Sequence, residues 1–216
     1  MRQPVKGTTA AGQRRAARAR ETRQRIIEAG RRLFVEKGYV NTTVQAIAEA
    51  AAVAPATVYQ AFGTKHAVLA AALDITVAGD DTPVAVLDRD WVKDARREKN
   101  RDSQLRLIVE GASKIAARTA PLKEVLRDAA ATETAARELI REDHERRHRT
   151  QEGLVDLLIE NRPLRAGIDR HHAVDTFFAL VNSATYELLV TQRGWTLSEW
   201  QSWVADVIDR ALFDDV

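Results

Sequence analysis

Cysteine is absent from all 216 residues. That excludes disulfides, thiolate metal sites, iron–sulfur clusters and cysteine nucleophiles together, and it fits a reducing compartment. Proline occurs 5 times and glycine 10 times, so there is little to punctuate long regular elements. No alternating Val, Ile, Thr and Tyr run is long enough for a strand. No apolar stretch approaches the ~18 residues that would span a bilayer, and the basic N-terminus is not followed by the apolar region of a signal peptide. The expectation is a soluble cytoplasmic chain without a membrane partner.

What is present favours helix. Hydrophobic residues make up 45% and charged residues 30% of the chain, with Ala, Arg, Glu and Leu abundant, so an all-α protein is expected. The net charge of +2 conceals an asymmetry. Residues 1–78 carry 12 Lys/Arg against 5 Asp/Glu, and the remainder carries 21 against 26. The N-terminal third suits a polyanion and the rest does not.

Residues 1–18 lack an apolar period but contain Arg2, Lys6, Arg14, Arg15 and Arg18, which reads as a flexible basic arm. A first helix is expected over about 19–37, with Ile26, Ile27, Gly30, Leu33 and Phe34 at helical spacing and Lys37-Gly38 as its stop. Thr43 is a good N-cap for a helix over about 44–51, in which Val44, Ile47, Ala48 and Ala51 share a face. Ala52-Val53-Ala54 forms a turn, and Pro55 suits the first position of a third helix ending near Phe62. Thr64 can cap a fourth helix beginning at Lys65. Residues 79–100 read as a connection, partly ordered around Leu87 and Trp91. Further helices are expected at about 102–118, 121–128, 131–160, 169–192 and 197–213.

Two short helices joined by a tight turn, behind a basic arm and an anchoring helix, make a helix-turn-helix unit over about 42–61. On its second helix Val58, Ala61 and Phe62 would face the core. Ala56, Thr57 and Gln60 would face a major groove, where the Gln60 amide offers a donor and an acceptor to adenine. The stretch from Gly38 to Leu73, with Gly38-Tyr39, Thr42-Thr43, Ile47-Ala48, Val53, Thr57-Val58-Tyr59, Phe62 and Lys65, resembles the DNA-binding domain of the TetR (tetracycline-repressor-like) family. The resemblance covers about residues 20–78. It implies a dimeric, mostly repressive regulator, with Thr43 and Lys65 on phosphates and Thr57 and Tyr59 on DNA. The expected DNA-contacting set is Thr42, Thr43, Pro55, Ala56, Thr57, Tyr59, Gln60 and Lys65. Two positions depart from the family pattern: Ala54 stands where a capping Ser or Gly is common, and Ala61 where Tyr or His is common.

The expected organisation is an arm over 1–18, a DNA-binding domain over 19–79 and a larger helical domain over 80–216 for effector binding and dimerisation. The expected partners are double-stranded operator DNA, a mainly apolar small-molecule effector and a second copy of the chain. Candidate effector-lining residues are Trp91, Ile108, Ala112, Leu154 and Asn182. Candidate interface residues are Phe177, Phe178, Val181, Leu188, Trp200, Trp203, Val204 and Val207, with Leu180 and Ile208 beside them. No cofactor or metal and no catalysis is expected. One rival is a DNA-binding regulator without a ligand. A remoter one is a zinc hydrolase, because His144-Glu145-Arg146-Arg147-His148 spells H-E-x-x-H. Its polar flanks and Gln151, which stands where the extended motif needs Gly, argue against zinc.

Overall fold

A computed structural model of the chain describes residues 10–79 and 84–214. Among these residues the regular structure is helical throughout, with no strand. The chain divides into two compact units, 1–72 and 73–216.

The first unit begins with α1, Ala10–Asn41, which is interrupted at Gly38 (φ 75°). The expected stop after Lys37 is therefore where the backbone leaves helical geometry, because glycine reaches positive φ without steric penalty. The expected arm is partly helix. Arg14, Arg15 and Arg18 lie on α1, whereas Arg2 and Lys6 lie outside the described residues. Residues 13–37 contain neither Gly at a break nor Pro, and are rich in Ala, Arg, Glu and Gln, so helix propagates even where no apolar stripe exists.

Helix α2 (Val44–Ala50) is capped by Thr43, whose hydroxyl accepts the Ala46 N–H at 3.1 Å. Helix α3 (Pro55–Phe62) starts with Pro55 but has no side-chain cap at Ala54, which sits in the extended conformation a capping residue needs. Helix α4 (Lys65–Ala78) opens with Thr64 accepting the Ala67 N–H at 3.1 Å. Ile26, Phe34, Ile47, Val58, Val68 and Leu69 are almost wholly buried and form the apolar centre of the unit. Helices of seven and eight residues are marginal alone in water, so burial of Ile47 and Val58 holds α2 and α3 in place.

In the second unit, residues 84–97 are more ordered than a connection. A short 3₁₀ turn at Val86–Asp88 leads into α5, Asp90–Arg97. Val92 and Ala95 are buried, and the indole of Trp91 rests against Gly111, where an added Cβ would come within 2.3 Å of the ring. Helix α6 (Arg101–Ala130) continues through Pro121. Proline removes the N–H that would reach the Ala117 carbonyl, but Thr119, Ala120 and Leu122 are buried around it. Packing outweighs the lost bond, so the break expected near 118–121 does not form.

Helix α7 spans Thr134–Asn161, α8 Arg170–Leu180, α9 Ser183–Tyr186 and α10 Leu197–Leu212, with a π-helical segment at Glu187–Gln192. The single helix expected over 169–192 is thus broken at Val181. Asn182 caps the restart by accepting from the Ala184 and Thr185 N–H groups, and Gln151 donates to the Val181 carbonyl. These side chains satisfy the backbone groups that a continuous helix would have paired. Phe177, Trp200, Val204, Ile208 and Leu212 join Ile108, Val109, Leu154 and Leu158 in one core. Arg162 ties the end of the chain down, pairing with Asp209, donating to the Asp214 carbonyl and stacking on Phe213.

The bare start of α3 supplies a test. Ala54→Ser is expected to raise stability by about 1 kcal/mol, read as the urea unfolding midpoint, because the backbone is already placed for a side-chain cap.

Candidate nucleic-acid interface and ligand cavity

Side-chain exposure along α3 separates two faces. Val58 is buried, Pro55, Thr57, Ala61 and Phe62 are half-buried, and Ala56, Tyr59 and Gln60 are exposed. Tyr59 is 57% exposed, unusual for a large aromatic in so small a core. A phenol, an amide and a small alanine thus stand together on the outer face of a helix set behind α2. Arg23 anchors the far end of α3 by donating to the Ala61 carbonyl at 2.9 Å and lying 4.0 Å from the Phe62 ring centre. Thr43 is exposed and, while capping α2 as an acceptor, keeps its own hydroxyl hydrogen available to donate.

Of the expected DNA contacts, Thr42 is structural instead, and Lys65 has backbone partners of its own. Thr42 is fully buried, and its hydroxyl sits 3.1 Å from the Leu33 carbonyl and 2.8 Å from that of Gly38. Lys65 donates to the carbonyls of Tyr39 at 2.9 Å and Thr42 at 3.2 Å, with its ammonium 4.1 Å from the Tyr39 ring centre. A lysine in the first turn of a helix opposes the helix dipole; here the carbonyls of the preceding turn supply the negative partner. Both residues close the turn after α1, which the sequence could not distinguish from phosphate binding.

The second unit contains a cavity of about 420 Å³ among α4, α6, α7 and the segment before α5. Val77, Val86, Leu87, Ala112, Ile115 and Leu154 give it an apolar wall. Its polar side carries two ion pairs. Lys123 meets Asp143 at 2.9 Å with both side chains largely buried, and Arg146 meets Asp74 at 3.3 Å nearer solvent. Burial pushes the Lys123 ammonium below its ordinary pKa, against the opposing pull of Asp143. Burial likewise raises the Asp74 carboxyl, despite Arg146 beside it. The end of α4 is fixed to α6 by Arg118, which donates to the carbonyls of Thr76 at 2.6 Å and Val77 at 2.7 Å.

The family model for bacterial regulatory proteins of the tetR family matches residues 26–72, which run from the apolar stripe of α1 to the middle of α4. Over these residues the chain is similar to the tetR-family DNA-binding domain. It is 40% identical over 79 residues to the uncharacterized HTH-type transcriptional regulator TtgW of Pseudomonas putida; that match covers 35% of this chain and 59% of the relative. A structure from Saccharomonospora viridis, described as a transcriptional regulator in complex with choline, superposes with a TM-score of 0.67 at 19% identity, covering 91% of this chain and 100% of that one. The regulator FadR of Bacillus subtilis, solved with stearoyl-CoA, gives 0.64 at 19% identity over 87% and 98%. At such identity these two structures establish the fold alone.

Among the candidate effector residues, Ala112, Leu154 and Asn182 line the cavity. Trp91 and Ile108 do not: Trp91 packs on Gly111, and Ile108 is wholly enclosed in the core. Sequence reasoning missed the charged lining, Lys123, Asp143, Arg146 and Arg147, because such residues on a helix normally mark a solvated face. Of the expected interface residues, Phe177, Val181, Trp200 and Val204 are buried within the chain itself. Their spacing put them on the helix face that completes the monomer core. Phe178, Trp203 and Val207 are half-buried, and Leu188 is 51% exposed. The H-E-x-x-H spacing does bring His144 and His148 to one face, but both imidazoles flank the Phe178 ring, at 5.9 and 5.8 Å. Among the described residues no three His, Asp or Glu side chains are grouped to hold a metal ion.

The two polar clusters predict different stability losses. Lys65→Met is expected to lower stability by about 1–2 kcal/mol by removing the ammonium from the Tyr39 and Thr42 carbonyls, the former keeping the Thr42 N–H, whereas Tyr59→Phe on the open face changes it by less than about 0.5 kcal/mol. Lys123→Met is expected to cost about 3–5 kcal/mol by leaving Asp143 buried and unpaired, and adding Asp143→Leu recovers most of that loss. Denaturant unfolding of the four variants checks both statements.

Proposed function

We propose that this chain is a homodimeric, cytoplasmic repressor that grips a near-palindromic operator with α3 and leaves it when a small organic molecule enters the cavity of the second unit. The observation that supports it most is the exposed Ala56, Tyr59 and Gln60 face of α3, within a TetR-type domain whose sequence carries excess positive charge. Thr43 and Thr57 flank that face and serve phosphate and base-methyl contacts. Two copies are needed because one recognition helix reads only a half-site, and symmetric dimers space two helices one DNA turn apart, giving an operator of about 15–20 base pairs. The apolar surface left over on Phe178, Leu188, Trp203 and Val207 supports self-association through α8, the segment after α9, and α10.

Ligand control draws on the cavity and on α4. This helix carries Lys65 at one end and Asp74 and Val77 on the cavity wall at the other. A ligand that displaces the far end shifts the equilibrium only if it binds the DNA-free form more tightly. The related folds were solved with molecules as unlike as choline and stearoyl-CoA, so fold alone does not select the ligand.

Fluorescence anisotropy with labelled DNA at physiological salt tests the reading. The chain is expected to bind a fragment from its own promoter region about 10³-fold or more tighter than random duplex. Gln60→Ala is expected to weaken the specific complex by about 1–3 kcal/mol and leave random binding unchanged. Equal affinity for both DNAs contradicts the proposal. Arg118→Gln, which frees the end of α4, is expected to preserve operator affinity while reducing ligand-driven release.

A further inference from the structure

The charges around the cavity do not cancel. Lys123 and Asp143 neutralise one another, as do Arg146 and Asp74. Arg149 also lines the cavity but is exposed and keeps its hydration. Arg147 differs. It is half-buried, lies with its guanidinium 3.6 Å from the Phe178 ring centre, and has no carboxylate within ion-pair distance among the described residues. Its Nε is buried without a hydrogen-bond partner. Burial draws its pKa down to about 10, against the opposing pull of Asp143.

One helical turn further along α7, Gln151 supplies an independent sign of an unmet ligand contact. It lines the same cavity and is 4% exposed. Its Nε2 donates to the Val181 carbonyl at 3.1 Å, which fixes the amide orientation and leaves Oε1 buried without a donor. A buried orphan donor and a buried orphan acceptor four residues apart are each costly unless something in the cavity meets them. The same cavity has an apolar lining of Val86, Leu87, Ala112, Ile115 and Leu154.

We propose that the cavity takes an apolar monocarboxylate bearing a hydroxyl or N–H donor near its acid end, the carboxylate on Arg147, the donor on Gln151 and the hydrocarbon along α6. The assignment rests on the reading of this cavity as a ligand site. A planar guanidinium holds a carboxylate through paired N–H donors, and such charge-assisted bonds strengthen where water is excluded. A single half-buried cation without an ion-pair partner matches one negative charge; a doubly charged phosphate would bring a second charge with no partner.

Isothermal titration calorimetry of the full chain with 3-hydroxydecanoate, decanoate and methyl 3-hydroxydecanoate tests it. The hydroxy acid is expected to bind most tightly, and its methyl ester about tenfold or more weaker, since the ester loses the charge but keeps the shape. Arg147→Gln is expected to abolish the gap between acid and ester. Gln151→Leu is expected to abolish the gap between hydroxy acid and plain acid. If Arg147→Gln melts before it can be titrated, the acid–ester comparison on the unaltered chain decides. An ester binding within about threefold of the acid overturns the headgroup assignment and leaves the cavity a ligand site for neutral molecules. Failure of all three compounds to bind overturns the cavity reading itself.

Discussion

Helix α4 is held by a cation on backbone carbonyls at each end, and the proposed mechanism depends on this constraint. At its first residue Lys65 gathers the Tyr39 and Thr42 carbonyls, and past its last turn Arg118 gathers those of Thr76 and Val77. The second contact satisfies carbonyls that a helix C-terminus leaves open. The first offsets the unfavourable position of a lysine at a helix start. The proposed mechanism has α4 carry a displacement from the second contact to the first. Residues 65–78 contain neither Gly nor Pro.

The N-terminal unit was largely legible because its signals are local. Gly38, the Thr43 cap, Pro55 and the Thr64 cap each act on the backbone within four residues, so boundaries follow from chemistry at the positions themselves. The outward placement of Ala56 and Gln60 followed from helical period, and the exposure of Tyr59 from family resemblance. Thr42 was misread because the fold brings the Leu33 carbonyl to its hydroxyl, and a polar side chain beside a helix-turn-helix has the same sequence signature whether it grips phosphate or its own backbone. The backbone partners of Lys65 were hidden for the same reason, since Tyr39 lies far from it in sequence.

The second unit was less legible because tertiary packing overrides its local signals. Pro121 stays within α6, since burial of its neighbours outweighs one missing donor. The break at Val181 is the converse: apolar spacing continues across it, and only Asn182-Ser183, a capping pair, betrays the restart. Phe177, Trp200 and Val204 carry more apolar surface than an isolated helix needs, but the periodicity does not say whether the facing surface belongs to the same chain or to a copy. The ligand cavity was hidden more deeply. Its polar residues, Lys123, Asp143 and Arg147, look on the sequence like ordinary charged helix positions, and only burial distinguishes them.

Ligand control of a repressor reduces to a coupling free energy between two sites, and that coupling is reciprocal. A ligand that loosens the operator complex must itself bind the complex less well than it binds the free protein. The most direct test is therefore calorimetric titration of a cavity-binding ligand into the free chain and into the chain saturated with operator DNA. The account predicts ligand affinity at least about fivefold weaker in the DNA complex, matching the loss of DNA affinity caused by ligand. Equal affinity in the two states would contradict it.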